Sequence, residues 1–261
     1  MKEYDIVIIG AGMAGLTAAI YGARAGKKVL VIESGLTGGQ IVSSLVVENW
    51  PGYEKISGKE LMDKIYHQAN NSGAEIRNEE VISVAKVGNE GGNEHFRVKT
   101  DEGEYSCGAI IIATGTEPRK LSKKQAKDAG ERPVSYCATC DGALYKGQPV
   151  VVVGSGNTAK HEIKYLEGIC TKVYHIHHDD PIPQDAKAIF VAIGRVPATG
   201  AFTDLVELDS NGYVVAGEDC KTSCPGVMVA GDCRTKSVRQ LVTAAADGAV
   251  AVEMAIEYLS R

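Results

Sequence analysis

No uncharged stretch in the 261 residues approaches the ~20 needed to cross a bilayer as a helix. No secretory leader is expected either, because Met1-Lys2-Glu3-Tyr4-Asp5 runs into an apolar segment too short for an h-region. A cytoplasmic protein with no membrane role is therefore expected. Basic residues are not in excess: the net charge of −5 argues against a general nucleic-acid binder. The seven cysteines (107, 137, 140, 170, 220, 224 and 233) form no evenly spaced framework, and a reducing cytosol disfavours structural disulfides. Cys107, Cys170 and Cys233 sit among apolar residues and read as small buried hydrophobes. Cys220 and Cys224 could pair or form half a metal site, but no His or Cys stands at a partner spacing, so neither role is assigned.

What is present fits a soluble α/β protein: 30 glycines, 44% hydrophobic residues and a length suited to roughly two domains. A strand from Tyr4 to Ile9 leads into Gly10-Ala11-Gly12-Met13-Ala14-Gly15. A helix to about Ala25 follows, then a strand from Lys28 to Ile32 that ends at Glu33. In this pattern Gly10 permits the tight turn, Gly12 lets the backbone approach a pyrophosphate, and Gly15 allows close helix–strand packing. The helix N-terminus offers unpaired N–H groups and a partial positive charge, and Glu33 is placed to accept ribose hydroxyls.

Further along, Glu60–Ser72 reads as an amphipathic helix. Residues 81–87 and 95–100 form a hairpin about 88–93, with 104–109 and 110–115 as two further strands. Residues 117–134 are polar and proline-flanked, which reads as a linker. A second lobe holds strands 149–153, 172–176 and 187–192 around a helix from Asn157 to Leu166. The pattern of 110–115 recurs at 227–232, and a helix spans 241–259. The two strand-to-glycine segments flank the lobe. The expected organisation is therefore a discontinuous Rossmann-like three-layer domain (1–116 and 200–261) with a truncated, nucleotide-domain-like lobe (117–199) inserted.

Cys137-Ala138-Thr139-Cys140 at a helix start places a thiol over free backbone N–H groups, which favours the thiolate. No second pair at metal spacing supports a zinc site.

The ordered motifs GAGMAG, GGQ, VENWPG, IIIATG, CATCDG, GSGNTA, VAIGR and GDCRTKSVRQ resemble the low-molecular-weight, bacterial-type FAD thioredoxin reductases over nearly the whole chain except 178–187. The resemblance implies an FAD disulfide reductase, active as a homodimer on thioredoxin. Gly10, Gly12, Met13, Ala14, Gly15 and Glu33 would hold the ADP half of FAD, with Val81 near adenine. Gly39, Gln40, Asn49 and Thr114 belong to the cofactor site, Gln40 and Asn49 at the flavin half. Asp232 would bind the ribityl chain, and Arg239, Gln240 and Leu241 would lie along the isoalloxazine. Cys140 would accept electrons from the flavin, Cys137 would exchange with the partner disulfide, and Asp141 would be the general acid.

The resemblance also implies an NADPH site at Gly154-Ser155-Gly156-Asn157-Thr158-Ala159. Here the pattern fails. Where the family carries two arginines to clamp a 2′-phosphate, this chain has His178 and Asp179, a neutral ring and a like charge. From Gly147 to Ile182 is about 36 residues, enough for one βαβ unit and not for the βαβαβ of a nucleotide-binding half. His175, His177 and His178 read as a solvated edge. Arg119, Lys120, Lys123, Lys124, Lys127 and Arg132 against Glu117, Asp128 and Glu131 give a local charge near +3, suited to an acidic electron-transfer protein. The sequence most resembles the ferredoxin-dependent branch of the family that lacks NADPH-binding residues. Two alternatives stand: an NAD(P)H-dependent reductase with a shrunken site, and a flavin dithiol oxidase using O₂.

Overall fold

The computed structural model describes residues 2–88 and 95–261. In chain order it contains β1 (Lys2–Ile9), α1 (Met13–Arg24), β2 (Val29–Glu33), α2 (Gly58–Asn71), β3 (Glu75–Asn78), β4 (Val81–Val87), β5 (His95–Thr100) and β6 (Glu104–Ile112). There follow β7 (Thr116–Pro118), α3 (Lys123–Ala129), β8 (Val134–Ser135), α4 (Ala138–Asp141), β9 (Pro149–Val153), α5 (Asn157–Glu167), β10 (Lys172–Ile176) and β11 (Ile189–Val191). The last elements are β12 (Arg195–Pro197), β13 (Val227–Val229) and α6 (Leu241–Leu259). Among the described residues no helix is long and apolar enough to cross a membrane.

Two compact units result: residues 1–42, 46–116 and 197–261 in one, 43–45 and 117–196 in the other. In the first, the sheet order is β3-β2-β1-β6-β5-β4. β1 pairs in parallel with both β2 and β6. β6 divides its free edge, its first half pairing antiparallel with β5 and residues 110–112 pairing parallel with β13. Alternate residues serve opposite faces. Ile6, Ile8, Ala109 and Ile111 meet α1, α2 and α6, while Val7, Ile9, Ile110 and Ile112 meet Phe202, Val206 and Val214. Burial on both faces explains why β1, β2 and β6 read as unbroken apolar runs. Each fully buried isoleucine contributes about 1.5–3 kcal/mol. α1 and α6 touch at Gly248, where a Cβ would lie 2.2 Å from the Ala14 carbonyl oxygen.

The second unit is a parallel four-stranded sheet ordered β10-β9-β11-β8. Val150, Val152 and Phe190 face Ala138, Ala159 and Leu166 of α4 and α5. Val151, Val153 and Ile189 face Ala129, Ile182 and Ala186. Residues 117–134 are thus no linker, because α3 covers this second face. Its Gln125 is fully buried, and the Nε2 donates to the carbonyls of His177 and Asp180, at 3.1 Å each. A buried amide bonded to backbone leaves no apolar periodicity to read. Residues 104–112 likewise form one strand where two were expected. The tip of the 81–100 hairpin lies outside the described residues.

Candidate active site

In the first unit, Gly10 has φ +109, and a Cβ there would lie 2.4 Å from the Ala113 carbonyl oxygen. A Cβ on Gly15 would lie 1.9 Å from the Gly10 carbonyl oxygen. Both glycines are thus required by packing. Gly12 differs, since nothing lies within 4 Å of its missing Cβ. The first turn of α1 therefore presents bare backbone to open space with Met13 and Ala14 buried behind it, the cradle that a pyrophosphate needs. The Glu33 carboxylate ends β2 beside this turn and accepts the N–H groups of Ala11 at 2.7 Å and Gly35 at 2.9 Å. Those bonds fix its orientation and leave lone pairs for ribose hydroxyls.

The remaining candidates cluster in smaller groups. A Cβ on Gly39, with φ +66, would lie 3.5 Å from Gly12 Cα, and a Cβ on Gly10 would lie 3.1 Å from Thr114 Cα. Gln40 Nε2 donates to Thr116 O and Oγ1, and Asn49 Nδ2 donates to Gln240 Oε1 at 3.0 Å. Val81 is half-buried at the start of β4. Asp232 comes after β13, Ala230 and Gly231, and its carbonyl accepts Arg239 Nε at 3.3 Å. Arg239 is no free surface cation: it stacks on the Tyr213 ring at 4.2 Å and also donates to the Arg234 carbonyl. Leu241 opens α6.

Behind Asp232 sits a group that no motif signalled. Asp247 of α6 is buried and accepts Arg234 Nε at 2.9 Å and Nη2 at 2.8 Å, Lys236 Nζ at 2.7 Å and the Gly231 N–H at 2.9 Å. Burial pushes its carboxyl up, yet these bonds outweigh burial and hold it below the ordinary carboxylate range.

Cys137, in the second unit, is disulfide-bonded; elsewhere in the chain Cys107, Cys170, Cys220, Cys224 and Cys233 form no disulfide. Cys220 and Cys224 are therefore unbridged. Burial pushes the Cys107 thiol up to about 12, and raises Cys170 and Cys233 as well. These thiols are inert at neutral pH. Cys140 lies in α4, its side chain outside the described residues.

α4 is a single turn, and the Ala138 N–H, the first of its helix-start N–H groups, faces the Glu162 carboxyl. Side chains serve the pair. The Cys137 N–H donates to Ser135 Oγ at 3.1 Å, which donates on to Asp141 Oδ2 at 2.7 Å. Thr139 Oγ1 lies 3.4 Å from Cys137 Sγ. Neither Ser135 nor Thr139 was singled out by spacing, although both flank the motif.

The second glycine turn copies the first. Gly154 has φ +143, with its Cβ position 2.2 Å from the Ala192 carbonyl oxygen, and Gly156 is open. A cleft of about 650 Å³ at this turn is lined by Arg119, Lys120, Ser155, Thr158 and His178. The exposed His178 and Asp179 sit in a tight turn after β10, with Asp179 at φ 74 and its carbonyl bonded to Lys124 Nζ. His175 Nε2 is 2.6 Å from Gly154 O. Arg132 does not belong to the basic surface: its guanidinium donates to the carbonyls of Ala129, Asp128 and Pro183, closing the C-terminus of α3.

A family profile described as pyridine nucleotide-disulphide oxidoreductase matches residues 4–186 and 183–248. The thioredoxin reductase of Listeria monocytogenes is 36% identical over 306 aligned positions, covering 99% of this chain and 94% of that protein. Since this chain has only 261 residues, at least 45 of those positions are gaps in it. The crystal structure of Lactococcus lactis thioredoxin reductase, in its FR conformation, superimposes with a TM-score of 0.86 at 31% identity, covering 98% of this chain and 99% of that one. A ferredoxin-flavin thioredoxin reductase from Clostridium acetobutylicum gives a TM-score of 0.64 at 28% identity, covering 100% and 98%.

Proposed function

We propose that this chain, which belongs to the thioredoxin reductases of the pyridine nucleotide-disulphide oxidoreductase family, FAD enzymes acting on disulfides, reduces a thioredoxin-type protein through Cys137 and Cys140 with electrons from reduced ferredoxin. The observation that carries the donor assignment is the second unit itself. One βαβ unit (β9, α5, β10) is followed at once by β11, and a turn holding His178 and Asp179 stands where a 2′-phosphate would need guanidinium groups. Exposed Arg119, Lys120, Lys123 and Lys127 supply a basic surface suited to an acidic one-electron donor.

The open backbone at Gly12, the pinned Glu33, and Asp232 are the residues that would hold FAD. When bound, that group takes electrons singly and releases them as a pair. Reducing the Cys137–Cys140 disulfide consumes two electrons and two protons. The Cys137 thiolate then attacks a sulfur of the partner disulfide, the other partner sulfur leaves, and Asp141 gives it a proton. Cys140 attacks Cys137 in the mixed disulfide, re-forming the internal bond and releasing the second partner thiol. Ser135 orients Asp141 for this work, and Thr139 donates to Cys137 Sγ.

A second reading has one observation in its favour: the cleft at Gly154–Gly156, with Arg119 and Lys120 on its wall, leaves room for part of a nicotinamide dinucleotide. Anaerobic titration separates the two. Flavin absorbance should bleach with reduced ferredoxin and stay unchanged with NADPH or NADH. Prompt bleaching by either nucleotide overturns the ferredoxin assignment.

A further inference from the structure

A carboxyl beneath the first turn of α4 is left unused by the reading above. Glu162 is on α5, which packs on α4. Contact is close: Ala138 is fully buried with Ala159 and Leu166, and a Cβ on Gly142 would come within 2.9 Å of Leu166 and 3.0 Å of Tyr165. The Glu162 carboxyl faces the N–H of Ala138, the residue after Cys137, which pulls its pKa down against burial. Its Oε2 is shielded from solvent and meets no hydrogen-bond partner among the described residues. Leaving an acid oxygen buried and unsatisfied is costly, and native folds retain few such groups.

We propose that Glu162 is a positioning residue for the exchanging cysteines, clamping their turn through the Ala138 N–H and setting by its own protonation state how readily Cys137 ionises. The inference rests on the reading of Cys137 and Cys140 as the exchanging pair. An ionised Glu162 puts a like charge beneath the turn and disfavours the thiolate, whereas a protonated one does not. Burial pushes this carboxyl up to about 7, so both forms are populated near neutral pH.

The elements packed against α5 offer few competitors. β9 has no ionisable side chain, and α4 brings Asp141, bonded to Ser135. Tyr145, Tyr165 and Cys170 share the apolar cluster, and burial raises the Cys170 thiol. β10 brings Lys172, Tyr174 and His175, the last bonded to Gly154. Lys160, His161 and Lys164 are exposed on α5 itself. His161 and His175 lie on these same elements, so the test removes Glu162 selectively.

The test uses the reduced full-length holoenzyme and the rate of Cys137 alkylation by iodoacetamide, read by peptide mass spectrometry from about pH 5.5 to about pH 9. The wild type should show two inflections, one from the thiol and one near neutrality. Glu162→Gln keeps an acceptor for Ala138 but cannot ionise. It should lose the near-neutral inflection and react up to about tenfold faster above it. Glu162→Ala should also speed hydrogen exchange at the Ala138 amide, which Glu162→Gln should not. A wild-type profile with one inflection overturns the proposal without any variant, as does a Glu162→Gln profile that superimposes on the wild type. A wild-type Cys137 no more reactive than buried Cys107 or Cys233 would instead overturn the reading of the pair, and this inference with it.

Discussion

Replacing Asp247 with asparagine removes one charge and almost no volume, which makes it a sharp probe of the ground behind Asp232. Both carboxylate oxygens are occupied. Oδ1 takes one arm of Arg234, and Oδ2 takes the other arm, Lys236 and the Gly231 N–H. Asparagine keeps one acceptor, turns an N–H₂ toward donors and leaves two nearly buried cations without their counter-charge. Breaking a buried pair in this way costs about 3–5 kcal/mol, against a total stability of roughly 5–15 kcal/mol. The cost should depend on pH, and its sign follows from the depressed carboxyl. Stability from such a group is present above the unfolded carboxylate range near about 4, and is lost as pH falls through the lower folded value. Urea unfolding of wild type and Asp247→Asn should therefore show the full gap at neutral pH and a closing gap below about pH 4. Because Gly231 precedes Asp232, the variant should also retain less FAD through gel filtration. A gap under about 1 kcal/mol at neutral pH, or one that ignores acid, would refute the reasoning.

Other outcomes follow from the site. Cys137→Ser and Cys140→Ser should each abolish disulfide reduction with FAD content unchanged, as a turnover assay beside an absorbance spectrum would show. Gly12→Val and Gly15→Ala should separate binding from folding. The first fills open space, so it should lose FAD while the apoprotein unfolds at the wild-type denaturant concentration. The second meets the Gly10 carbonyl oxygen at 1.9 Å and should cost about 1–3 kcal/mol or more of stability. Reversing Lys123 and Lys127 to glutamate should slow flavin reduction by ferredoxin about tenfold or more at low salt, with the difference shrinking as salt rises. Equal stopped-flow rates would remove the basic surface from the donor path.

The nucleotide turn was legible because its requirements are local: a strand, a glycine that must turn, a glycine that must stay bare, and an acid one strand later. The cysteine motif was legible for the same reason. What surrounds the cysteines was not, since Glu162 reaches Ala138 across the fold and no spacing announces it. Asp247 meets Arg234 and Lys236 from a helix whose sequence reads mainly as alanine-rich packing. β3 escaped notice because an edge strand of Glu75, Ile76, Arg77 and Asn78 can be polar, its Arg77 pairing along the same stretch of chain with Glu75 and Glu79. α3 escaped because its buried anchor is glutamine, and Arg132, counted as surface charge, serves three carbonyls.

The chain leaves the first unit between 116 and 117 and returns between 196 and 197, and those crossings fall in β7 and β12, which pair as a two-stranded ribbon. For protein engineering that ribbon is a socket. Its paired strands hold the two ends of the insertion together whatever lies beyond them, and loop-closure entropy grows by only about 0.6 kcal/mol for each doubling of the inserted length. A short turn in place of 119–194 would yield a minimal flavin carrier, and a foreign domain with neighbouring termini could be plugged in there. The same tolerance lets an insertion shorten by whole elements over evolutionary time while the sheet that receives it keeps its strand order.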